Sequence, residues 1–128
     1  MDLYHAILMD HYRHPRNRGR IENPDFTSGM HNPSCGDSIC VEGRIVHDRL
    51  VQVAFEGAGC VISQAAASMF LSHSQGKDIV EIMRFDADTM VALVAIPLGP
   101  IRIKCALLAF DAMRAGILSY QASRATDA

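Results

Sequence analysis

The sequence predicts an α+β fold: a small three-stranded antiparallel sheet covered on one face by helices. Three observations carry that expectation. Between Asn23 and Gly59 apolar residues recur at every second position, whereas before Pro15 and after Cys60 they recur at helical spacing. Between two of the strand-like runs, Val46–Arg49 offers a short hairpin connection. A three-stranded sheet with one apolar face needs a covering layer, and the C-terminal half of the chain is long enough to supply one.

Taken in order, residues 2–14 carry Leu3, Ile7, Leu8 and His11 on one helical stripe, with Asp2 as N-cap and Pro15 followed by Asn17-Arg18-Gly19 as the stop. Four basic residues fall between Arg13 and Arg20, either a solvated helix end or a docking patch for an acidic partner. A short strand is expected near Phe26–His31. The next strand buries Ile39, Val41 and Ile45 and exposes Ser38, Glu42 and Arg44, and a third buries Val51, Val53 and Phe55. Residues 61–75 form a helix whose stripe is Ile62, Ala65, Ala66, Met69 and Phe70, with Gly76 as its end. Lys77–Met83 and Asp86–Val94 suggest two short helices, Pro97–Pro100 a loop, and Ile103–Tyr120 one final helix followed by a frayed tail after Gln121.

At 128 residues and 49% hydrophobic content, the chain is expected to form one domain over 1–128 with a real core. A net charge of −2 gives no overall drive toward nucleic acid or an anionic membrane, and neither is expected as a partner. No apolar run approaches the roughly 20 residues that span a bilayer. Residues 1–14, with Asp2, Asp10, Arg13 and three histidines, do not read as a signal peptide, so the expected location is cytoplasmic.

The chemistry is expected of the cysteines. There is no CxxC pair among Cys35, Cys40, Cys60 and Cys105, so neither a zinc ribbon nor a thioredoxin motif is visible. Cys35 lies in Asn32-Pro33-Ser34-Cys35-Gly36-Asp37 ahead of a strand, and Cys60 closes Glu56-Gly57-Ala58-Gly59-Cys60 between a strand and a helix. Cys105 is expected in the first turn of the last helix. Each thiol alone could be a small buried apolar residue. Together they occupy Gly- or Pro-rich ends of separate elements, two of them near helix N-termini that favour an anionic sulfur. Asp37 has the parity of the buried strand face, where a carboxylate is either a cap or a ligand. Cys40 has the opposite parity and is read as incidental. A Cys/His nucleophile has no supporting local motif.

Those segments, with Gly57-Ala58-Gly59-Cys60-Val61-Ile62-Ser63-Gln64-Ala65, Ile103-Lys104-Cys105-Ala106-Leu107-Leu108-Ala109 and the opening Tyr4…Asp10-His11-Tyr12-Arg13-His14-Pro15-Arg16-Asn17, resemble the IscU/NifU N-terminal/SufU iron–sulfur scaffold family over about residues 3–120. The resemblance implies a scaffold, not an enzyme in the usual sense. It would receive sulfur from a cysteine desulfurase, assemble a transient [2Fe–2S] cluster and transfer it to apo iron–sulfur acceptor proteins. By position, Cys35, Asp37, Cys60 and Cys105 are the implied cofactor and metal ligands, with zinc in the cluster-free form; the three thiols are the implied sulfur acceptors, and the SufU-like Lys104-Cys105 pair singles out Cys105 among them. Three soft thiolates and one harder carboxylate suit a loosely held cluster.

Two features depart from the family. Lys104 stands where many IscU-type members have His; protonated, it offers no lone pair and is expected to stabilise a thiolate instead. Leu98-Gly99-Pro100-Ile101-Arg102 replaces the Leu-Pro-Pro-Val-Lys that recruits an Hsp70-type chaperone, so that partner is not expected. The Lys104-Cys105 pair looks more like SufU, which makes a zinc-dependent sulfurtransferase the alternative, although the insertion usual in SufU proteins has no room between Cys60 and Cys105.

Overall fold

A computed structural model describes residues 2–34 and 36–127, with backbone only for the last two. The elements are α1 (Leu3–Arg13), β1 (Phe26–Asn32), β2 (Asp37–Val46), β3 (Arg49–Ala58), α2 (Val61–Ser74), α3 (Ile79–Arg84), α4 (Ala87–Val94), α5 (Pro100–Ala106) and α6 (Leu108–Asp127). The strands form one antiparallel sheet in the order β1-β2-β3. On its inner face α6 packs against β1 and β2, and α2 against β3 and α1, which gives the α+β arrangement expected from the two periodicities. Phe55, Phe70, Leu50, Leu71, Met90, Met113 and Ile117 lie at the centre of the core.

The sheet follows the predicted parity up to one defect. Val41 faces Phe55 and Gly43 faces Val53, but the register shifts between Arg44 and Ile45, so that Ile45 faces Leu50. Leu50 is consequently buried and Val51, expected inside, is exposed. A one-residue slip exchanges the two faces of a strand, and here it acts on the last turn of the hairpin alone. The turn itself is made by His47 and Asp48, both at positive φ, as a two-residue hairpin of this twist requires.

Glu42, expected on the solvent face, is buried because the chain after α1 folds over the sheet. Gly19 N–H donates to Phe55 O at 2.9 Å, and Phe55 N–H to Asn17 O at 2.9 Å, which brings this strap beside β3. Glu42 then accepts hydrogen bonds from Arg20 Nε (3.1 Å), the Ile21 amide (3.4 Å) and Thr27 Oγ1 (3.2 Å). Such a partner set is what lets a carboxylate be buried.

Helix α1 is capped by Asp2, which accepts from the His5 amide at 2.9 Å. Its stripe is only partly used: Leu8 is buried, while Leu3 and Ile7 remain exposed. Ser68 of α2 anchors the end of α1, accepting the Arg16 amide at 2.8 Å and meeting His11 Nδ1 at 2.8 Å. Helix α2 is buried nearly all round, a central helix rather than a surface one. The expected final helix is two. Helix α5 starts at Pro100, at the position where proline is best tolerated, and Leu107 separates it from α6. The chain beyond Gln121 is helical to Asp127 instead of frayed.

Candidate metal centre

The centre is built where three elements end. Asp37 opens β2 on its inward parity and is 1% exposed. Cys60 is the N-cap residue of α2, and Cys105 lies in the last turn of α5. One carboxylate oxygen of Asp37 and the two Sγ atoms lie within 4.8 Å of one another. Positions far apart in sequence thus supply one harder and two soft donors to a common point.

Asp37 both caps and faces the thiols. Its Oδ1 accepts the Cys60 amide at 3.0 Å, and its Oδ2 accepts the Cys60 thiol at 3.2 Å. The approach depends on Gly59, at φ +148°, where an added Cβ would stand 2.3 Å from Asp37 Oδ1. Glycine alone combines that backbone conformation with that proximity. Gly57 is under a similar constraint, since a Cβ there would meet Ser38 O at 2.2 Å.

The two thiols differ in access. Cys60 is exposed, whereas Cys105 is 2% exposed. Cys105 was expected at a helix start; it stands instead at the C-terminal end of α5, so that helix gives it no N-terminal dipole. The expectation failed because the break at Leu107 moves the helix boundary past it. Lys104 is exposed. Cys35 lies outside the described residues. Of its neighbours, Ser34 N–H donates to Asn32 Oδ1 at 3.1 Å and Gly36 N–H to Asn32 O at 2.9 Å. Cys40 is half-buried on the other face of the sheet, as its parity required, and burial followed by the nearby Glu42 charge pushes its thiol pKa up. A raised pKa disfavours the thiolate that metal binding and nucleophilic attack need.

The donor set fits a single tetrahedral ion. Two thiolates bound to zinc at about 2.3 Å lie roughly 3.8 Å apart, and a thiolate and a carboxylate oxygen roughly 3.5 Å. Mutual distances within 4.8 Å therefore need adjustments of about an ångström at most. The hydrogen on Cys60 Sγ must leave for metal to bind, and Asp37 Oδ2 already accepts it. Glycines flanking the cysteines are expected from the sequence to permit close backbone approach and positive φ, and Gly59 does both; that Asp37 is the group that approaches it is what the sequence leaves unread.

No helix among the described residues is long and apolar enough to cross a membrane. The NifU-like N terminal domain family model matches residues 3–127. The zinc-dependent sulfurtransferase SufU of Bacillus subtilis (strain 168) is 35% identical over 132 aligned positions, covering 90% of this chain and 89% of its own. That alignment is longer than this chain, so it contains positions this chain lacks. The iron–sulfur cluster assembly scaffold protein IscU 1 of Archaeoglobus fulgidus is 32% identical over 119 residues, covering 92% of this chain and 76% of its own. Among solved structures, FiSufU of Fervidobacterium islandicum AW-1 superposes with a TM-score of 0.74 at 27% identity, covering 86% of this chain and 93% of its own. The N-terminal NifU-like protein of Brucella abortus, at 20% identity and a TM-score of 0.76 over 93% and 94% of the two chains, shares the fold. With a family match running almost end to end and two curated relatives above 30% identity, this chain belongs to the NifU-like N-terminal domain family.

Proposed function

We propose that this protein is an iron–sulfur cluster assembly scaffold, one that accepts sulfur from a cysteine desulfurase, builds a labile [2Fe–2S] cluster and hands it to apo-proteins. The observation that carries the reading is the convergence of Asp37, Cys60 and Cys105 donors within 4.8 Å. Cys35 is the proposed fourth ligand, from its place in the first motif. A cluster core of charge 2+ on four anionic ligands keeps a net charge of about −2, which is costly to enclose. The exposed Cys60 leaves one side open to water and to a recipient. Reduced thiols are needed throughout, which supports a cytoplasmic location.

The burial difference orders the sulfur chemistry. A donor arriving from solvent meets Cys60 before Cys105. Cys105, the acceptor expected from the sequence, then receives sulfur by attack of its thiolate on the outer sulfur of a Cys60 persulfide. The persulfide S–S bond breaks and Cys60 departs as a thiolate.

Anaerobic incubation with a desulfurase, cysteine and ferrous iron tests the proposal. The wild-type protein should develop visible charge-transfer absorption with acid-labile sulfide, and Cys35→Ser, Cys60→Ser and Cys105→Ser should each lose most of it. Normal development in all three variants would overturn the reading. A second reading, a zinc-dependent sulfurtransferase that stimulates a desulfurase, is supported by the 35% identity to a protein of that name and by a donor set that closes on one ion. Bound zinc would there orient the ligands and keep their sulfurs anionic. Stimulation of desulfurase turnover that vanishes on zinc removal favours it; stimulation unchanged in metal-free protein excludes it.

A further inference from the structure

The basic cluster between Arg13 and Arg20 is divided in two by the fold. Arg16 Nη2 lies 2.5 Å from Asp10 Oδ2, and Arg20 Nε lies 3.1 Å from Glu42 Oε1. Arg13 and Arg18 are exposed and make no ion pair among the described residues. Asp10 and Glu42 are thus already engaged, and the two remaining guanidinium groups carry a local surplus of positive charge.

Both unmatched arginines line one cleft of about 480 Å³, with Tyr12 and Gln64 among its other walls and no carboxylate side chain. The cleft runs to Gly59, one residue before the exposed Cys60. Tyr12, in the same cleft, keeps 39% of its surface in water. Arginine and tyrosine are residues on which protein–protein contacts concentrate their energy, and guanidinium grips a carboxylate through paired N–H donors. Solvated and cationic, this surface suits carboxylate side chains presented by another protein.

We propose that Arg13 and Arg18 dock an acidic segment of the protein that donates sulfur, seating its persulfide against Cys60. The inference rests on the reading of Cys60 as the thiol that meets incoming sulfur, and adds the surface chemistry that recognises the donor. The Cys60 thiolate attacks the outer sulfur of the donor's persulfide; the S–S bond breaks, Cys60 becomes the persulfide and the donor cysteine departs as a thiolate. Charges at the rim of a complex govern encounter more than the step that follows it. The arginines should therefore set the concentration of this protein that transfer requires, and not the rate at saturation.

The test uses the cysteine desulfurase that loads the wild-type protein, and follows persulfide arrival at Cys60 by alkylation and peptide mass over a range of protein concentrations. Arg13→Gln with Arg18→Gln should raise the half-saturating concentration roughly tenfold, the combined effect of two exposed charge contacts, with the saturating rate kept. Arg13→Lys with Arg18→Lys, which keeps the charge, should recover part of that loss. Arg44→Gln with Arg124→Gln removes the same net charge from exposed positions outside the cleft and should cost no more than about twofold. Added salt should shrink the wild-type advantage, and a decaglutamate peptide should inhibit transfer to the wild-type protein and not to the Arg13→Gln, Arg18→Gln protein. A half-saturating concentration that stays at the wild-type value, or that rises equally in the Arg44, Arg124 control, overturns the proposal. So does a fall in the saturating rate alone, or equal inhibition of both proteins by decaglutamate. Loading the wild-type protein with ferrous iron and sodium sulfide needs no donor protein and separates the two levels: intact loading with arginine-independent transfer defeats this inference alone, and failed loading defeats the scaffold reading.

Discussion

Replacing Gly59 by alanine tests whether the approach of Asp37 to Cys60 organises the centre. The new Cβ would stand 2.3 Å from Oδ1 and 2.5 Å from Cγ of a carboxylate that is 1% exposed, in a backbone conformation of φ +148°. The backbone conformation alone costs about 1 kcal/mol. Pushing Asp37 off the Cys60 amide and thiol adds the loss of buried hydrogen bonds, for a total of about 2–4 kcal/mol. At about 4 °C per kcal/mol for a chain of this size, the melting temperature should fall roughly 8–16 °C. Gly76→Ala is the control, because φ there is +87° and an added Cβ meets nothing within 4 Å. It should pay the conformational cost alone, about 1 kcal/mol. Calorimetry gives the stabilities, and zinc competition with a coloured chelator gives the affinities, which should drop about 10- to 100-fold in the first variant only. If Gly59→Ala melts within a few degrees of Gly76→Ala and binds zinc as tightly as wild type, the proposed role of the Asp37–Gly59 contact is wrong.

Three further outcomes are expected. His11 has its pKa lowered by burial and then by the Arg16 charge, and His73 by burial and then by Lys77, so the unfolded chain binds more protons than the folded one below about pH 6.5. Stability should therefore be full above that pH and decline as acid is added, and His11→Gln should flatten the decline in denaturant titrations; a steeper decline would contradict the assignment. Glu42→Ala strips Arg20, the Ile21 amide and Thr27 of their common acceptor and should cost about 1–3 kcal/mol in denaturant unfolding, with the strap amides of Gly19 and Asp25 losing protection from hydrogen exchange. Stripping metal from the loaded protein should lower its melting temperature, and restoring zinc should raise it again in proportion to the logarithm of free metal; no response to zinc would refute a bound ion.

Much of the site could be read from local rules because strand parity and loop ends are local properties. The odd number of Asp37 put it inside, and it is inside; Cys40, one parity away from Ile39 and Val41, lies on the other face. What stayed hidden depends on segments distant in sequence. Glu42 looked solvent-facing because nothing in β2 announces that residues 17–25 will cover it. The break at Leu107 carries no Gly or Pro; Lys104 and the run Ala106–Ala109 are good helix formers, and the split reflects two different supports, with α5 set against α2 and α4 and α6 set against the sheet. Leu3 and Ile7 fit the apolar stripe of α1, but α2 covers only part of it. Periodicity identifies a face and is silent on how much of that face a neighbour reaches.

The interruption at Leu107 also decides what holds the Cys105 sulfur. Had the chain continued as one rod, that thiol would share the seat of Met113 and Ile117. Carried instead on the seven-residue α5, it leans on α2 and α4, while α6 rests on the sheet. A substitution that disturbs α4 should therefore reach this sulfur sooner than one at the contact between α6 and the strands.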